Sequence, residues 1–211
     1  MDRRRNAREL YGSIVTQARR PMFYAAWGVP DSIAGRFEVI VIHLCVVLAR
    51  LEAEGQSGAA LARALNEAFI ADLDASMREM TFGDLAVPRQ IKLSAAALFD
   101  RHSAYRRALA SGEHAALTQT LATQMAYLAG AGGVDAARLA HYMLEAADGL
   151  RRQPASALWA GRLMWPVLEG PTLGRPTPEA PMPDRQRLLS DGPTSERPRP
   201  PGGSAGGGGS R

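Results

Sequence analysis

The sequence predicts an all-α protein: a single multi-helix domain of about six to seven helices over residues 1–168, followed by a disordered Pro/Gly/Ser/Arg-rich tail over 169–211. Three observations carry that expectation. Successive segments place apolar residues at three- and four-residue steps, the repeat of one helix face. No apolar run carries the flanking turn signals of a strand. From Glu169 onward large apolar residues are few, so that stretch buries too little to offset the entropy of ordering it.

The first helix is expected over Asp2–Arg20, with Leu10, Tyr11, Ile14, Val15 and Ala18 on one face and Pro21 as its stop. Arg3, Arg4, Arg5 and Arg8 crowd its start, where they oppose the helix dipole and suggest contact with an anionic surface such as ribosomal RNA or acidic lipid. Met22 to Asp31 follows as a loop rich in aromatics that must pack on the core or a partner. Asp31 or Ser32 then caps a long helix ending near Glu54, with Gly55 as its stop. Its Val39–Ala49 run is β-branched, but helical flanks without turn signals favour a central helix covered on most sides. His43 and Cys45, two residues apart, point about 200° away from each other on that helix, so they read as core and not as a metal pair.

The next helix carries Leu61, Leu65, Phe69, Leu73 and Met77, and turns at Phe82-Gly83-Asp84 before another opens at Pro88. Asp72 falls about 20° from Leu61 on the helical wheel, inside the apolar stripe, and so requires water or a donor such as Arg36, Arg78, Arg89 or Lys92. Later helices are expected from Ser111 to Gly130, from Val134 to Arg152, and from Pro154 to Trp165. The glycines of Gly130–Gly133 follow a helix and lack phosphate-loop spacing, which makes them a tight turn. His141 and Glu145 stand four apart, without the third ligand that a metal site needs.

The chain has 25 basic and 21 acidic residues, every basic one but Lys92 being arginine, for a formal charge of +4. That surplus is mild, and no DNA partner is expected. Cys45 is the only cysteine, which excludes an intrachain disulfide or a cysteine zinc site. The Val39–Ala49 run is about half the ~20 residues of a membrane span. With no secretory pattern at Met1–Arg5, the expected location is the cytoplasm, or peripheral on the inner (cytoplasmic) face of the membrane. No nucleophile stands beside a base at a familiar spacing, no cofactor or metal is expected, and the chain reads as a binding protein and not an enzyme. Two other readings stay open: a small helical enzyme using Asp72 and Asp84 or His141 and Glu145, and an RNA-binding module using Arg3 to Arg8.

Two blocks of residues resemble a known family. Phe23-Tyr24 through Gly28-Val29-Pro30-Asp31, then Gly35-Arg36-Phe37-Glu38 and His43-Leu44, is similar to the first signature of the ubiquinol-cytochrome c chaperones. Asp72, Met77-Arg78-Glu79-Met80, Gly83-Asp84-Leu85-Ala86-Val87-Pro88 and Ile91-Lys92 resemble the second, with Phe99 and Arg101 to Tyr105 as a weaker continuation. The resemblance implies an all-helical, non-enzymatic assembly factor for the respiratory cytochrome bc complex, acting on newly made cytochrome b or another subunit. It marks Arg78, Glu79, Gly83 and Asp84, together with Arg36, Tyr24 and Asp31, as candidate partner-contacting residues.

Overall fold

A computed structural model of the chain describes residues 2–79, 87–128 and 133–168. Among them are eight α-helices and no strand: α1 (Arg3–Ala18), α2 (Pro21–Ala25), α3 (Ile33–Glu52), α4 (Gly55–Glu79), α5 (Val87–Ser111), α6 (His114–Met125), α7 (Ala136–Arg152) and α8 (Ala155–Trp159). All belong to one compact unit, Met1–Pro171. The all-helical class is as the periodicity predicts. The tail from 169 on and the turn at Phe82-Gly83-Asp84 lie outside the described residues.

Helix α3 is the hub, touching α1, α4, α5 and α7. Ser32 caps it by accepting from the Gly35 amide at 3.1 Å. Val39, Val41, Ile42, Val46 and Val47 are all buried within it. Each β-branched residue costs about 0.5 kcal/mol in helix propensity, whereas burying its side chain returns about 1.5–3 kcal/mol, so packing overrides the strand preference. His43 and Cys45 are both buried, as expected of core residues.

Local differences from the sequence expectation have local causes. Residues read as an aromatic loop begin with the one-turn helix α2, because Pro21 at its first position supplies a helical φ and Trp27 closes back onto the Met22 carbonyl. Its aromatics do face the core: Phe23 is fully buried and meets Trp27 edge-on at 5.0 Å. α6 starts at His114, three residues later than expected, because Gly112 turns with φ +68°. The final helix stops at Trp159, not Trp165. Gly161 breaks it with φ +73°, and the Gln153 side-chain amide then holds the Met164 backbone through bonds of 2.7 and 3.1 Å. Trp165 donates its indole N–H to Ser13 Oγ at 3.0 Å, so this tryptophan covers the core.

Close backbone approach fixes Gly35. A Cβ there would lie 2.0 Å from the Pro30 carbonyl oxygen, an overlap with a main-chain atom that no rotamer relieves. Gly35→Ala is expected to lower stability by about 1–3 kcal/mol, read as a lower melting temperature by circular dichroism. Unchanged melting would mean that the Pro30 turn yields.

Candidate functional site

α1, α3, α4 and α5 enclose a groove of about 620 Å³. Its apolar surface comes from Val15 of α1, Ile33, Phe37 and Ile40 of α3, Phe69, Leu73 and Met77 of α4, and Leu93 of α5. Ile33 is 66% exposed and Leu93 54% exposed, an unusual degree of exposure for side chains gathered around one concavity. Polar side chains line it as well, among them Asp72, Ser94 and Arg101. Tyr11 donates its hydroxyl to Asp72 Oδ2 at 2.8 Å, joining α1 to α4. Burial and that carboxylate push the Tyr11 phenol well above its usual range, so it stays protonated.

Asp72 therefore meets none of the basic residues the sequence suggested. Its partner is Tyr11, carried from far along the chain by the packing of α1 on α4. Asp72 is also exposed, so the stripe position calculated from the helical wheel is the margin of the buried face and not its centre.

Three of the expected contact residues meet at one end of the groove. Arg36 and Tyr24 line it, and Asp31 accepts from Arg36 Nε at 2.6 Å. That guanidinium holds the Asp31 carboxyl below its ordinary range. Tyr24 donates its hydroxyl to the Ala18 carbonyl at 2.8 Å, fixing α2 against α1. Arg78 and Glu79 do not line the groove. Arg78 makes two bonds to Asp74 one turn earlier, at 2.8 and 3.2 Å, and Glu79 is exposed. Gly83 and Asp84 lie outside the described residues.

His141 and Glu145 pair at 3.4 Å on the exposed face of α7. Among the described residues no three His, Cys, Asp or Glu side chains gather to hold a metal ion. The amino-terminal arginines are separate from the groove and divide among themselves. Arg5 faces Glu9 at 3.5 Å and Arg8 donates to the Arg4 carbonyl at 3.4 Å, while Arg3 and Arg4 line a second concavity with Arg63.

The sequence reading missed the cluster that sets the groove's fourth wall. Glu38, fully buried in α3, accepts from Arg101 Nε with both oxygens at 2.8 Å and from the Tyr127 hydroxyl at 2.6 Å. Arg101 and Tyr127 both line the groove, so this cluster, buried at Glu38 and open to solvent at Tyr127, joins α5 and the turn after α6 to α3. Burial, then the adjacent carboxylate, pushes the Tyr127 phenol up to about 12. A signal existed: apart from Glu52 at its last position, Glu38 is the one acid in the most apolar helix, where a buried carboxylate demands a cation.

The family model described as "Ubiquinol-cytochrome C chaperone" matches residues 25–165. Among solved structures, the chain is similar to the Cbp3 homolog from Brucella abortus, with 32% identity and a TM-score of 0.69, over 77% of this chain and 90% of that one. A search of curated proteins found no match.

Proposed function

The chain belongs to the ubiquinol-cytochrome C chaperone family, and from that premise we propose that it is a non-enzymatic assembly factor for the cytochrome bc complex, holding an apolar segment of newly made cytochrome b in the four-helix groove. The groove itself carries this reading. Its lining is mainly aliphatic and aromatic, and Ile33 and Leu93 present apolar surface to solvent that a bound segment would cover. Tyr24, Asp31 and Arg36 at one end supply the directional contacts that fix how a segment lies. Arg78, Glu79, Gly83 and Asp84 are proposed as a further partner contact, on the strength of the resemblance. The chain would act on the cytoplasmic face of the membrane.

Tagged protein isolated from its host is expected to carry cytochrome b with it, and added salt should weaken the association little, because burial of apolar surface drives it. Leu93→Glu places a charge in the groove at a half-exposed position. It should change stability by roughly 0.5 kcal/mol or less and remove most of the bound cytochrome b. A folded Leu93→Glu protein that retains its client would put the contact elsewhere on the molecule.

A further inference from the structure

Arg3 and Arg4 from the first turn of α1 and Arg63 from α4 surround one concavity of about 220 Å³, completed by Ala60, Ala64 and Glu67. None of these three guanidiniums forms an ion pair among the described residues, whereas Arg5, Arg36, Arg50 and Arg101 each face a carboxylate. The fold does not require them there. Asp2 already caps α1 by accepting from the Arg4 and Arg5 amides at 3.1 and 3.3 Å, and cations beside a helix amino terminus are unfavourable. Arg63 comes from a different helix, sixty residues away in sequence, so the convergence belongs to the folded protein and not to one run of arginines.

We propose that Arg3, Arg4 and Arg63 form a docking site for the phosphate headgroups of an anionic membrane surface. Guanidinium groups suit phosphate because each offers paired donors in a plane. No aromatic side chain lines the concavity, so nothing there stacks on a nucleic-acid base. The only apolar lining is two alanines, which gives contact through charge without insertion into the bilayer. None of the described helices is long and apolar enough to cross a membrane, so charge is the attachment these residues offer. The site lies on the same α1–α4 seam as the groove, roughly 18 Å from Val15 by helix rise. It stands independently of what the groove holds.

The test is co-sedimentation of the full chain, without client, on phosphatidylcholine vesicles with and without phosphatidylglycerol. Binding should require phosphatidylglycerol and fall steeply with added salt. Each arginine removed should weaken binding about fivefold, and Arg63→Glu, which changes the charge by two, about 25-fold. Arg63→Gln serves if the reversal perturbs α4, and Arg107→Glu on α5 is the control, expected to bind nearly as the parent does. Three results would each overturn the proposal: equal loss in the control, which makes the effect one of net charge; full competition by millimolar inorganic phosphate, which makes free phosphate the ligand; and patch-dependent binding of an RNA oligonucleotide without vesicle binding. Because no client is present, failure here leaves the groove reading untouched, and failure of the groove reading leaves this one standing.

Discussion

Arg101→Ala is expected to destabilise the protein by about 3–5 kcal/mol, lowering its melting temperature by roughly 6–20 °C. The Glu38 side chain has no solvent exposure and Arg101 only 13%, so the pair is shielded from the screening that weakens surface ion pairs. Removing the guanidinium leaves a buried carboxylate with the Tyr127 hydroxyl as its remaining donor. The charge must then stay unpaired, take up a proton, or draw water in by shifting α5 away from α3. Each route costs free energy, and the last also moves the groove wall that carries Leu93 and Ala97. A double variant, Glu38→Leu with Arg101→Met, should recover much of the loss, because neither charge then needs a partner. Urea unfolding of the parent, the single variant and the double variant checks this. A single variant that melts within about 2 °C of the parent would mean that Glu38 is not held as a buried ion in the folded state.

What could be read from the sequence tracks what is local. The six longer helices follow from apolar spacing, and Ser32 at the head of α3 follows from the chemistry of its hydroxyl. The early stop of α8 had a local cue in Gly161, but apolar spacing through Leu163 and Trp165 hid it, since those side chains pack on the core from an extended backbone as well as they would from a helix. The contacts that build the groove are of another kind. Tyr11 and Asp72 are on different helices, as are Glu38 and Arg101, and each pairing depends on how helices cross, which spacing within one helix does not encode. Tyr24, Asp31 and Arg36 came forward through resemblance to a family signature, and the structure gives them a shared location. Arg3 and Arg4 were visible as a charge run, but Arg63, which turns them into a concavity, stood in an ordinary solvent-facing position of its own helix.

Acidification should destabilise the fold through His43 by about 3 kcal/mol in all. His43 sits in the core with Nδ1 2.7 Å from the Val39 carbonyl and Nε2 2.7 Å from the Tyr142 hydroxyl, to which Gln17 Nε2 donates at 3.1 Å. A carbonyl only accepts, so Nδ1 carries the proton, leaving Nε2 to accept from Tyr142 in the neutral ring. The rings of Phe23 and Trp165 flank the imidazole at 5.3 and 5.0 Å and offer no counter-charge. Burial accordingly pushes His43 down from its ordinary 6.5 to about 4. The neutral form is the one the fold stabilises, so between those two values the unfolded chain binds the extra proton. Stability from this residue is thus complete above about pH 6.5, falls as the pH drops, and is exhausted near pH 4. His102, also lowered chiefly by burial, acts in the same direction, and the carboxylates titrate in the background. Both contributions are shared by a His43→Leu variant, so the comparison isolates one residue. Urea unfolding at pH 7 and pH 5 should show the parent losing about 2 kcal/mol more than the variant over that interval, whatever the variant's own stability at pH 7. Equal losses in the two proteins would assign the acid sensitivity to other groups and leave the His43–Tyr142–Gln17 network a purely structural one.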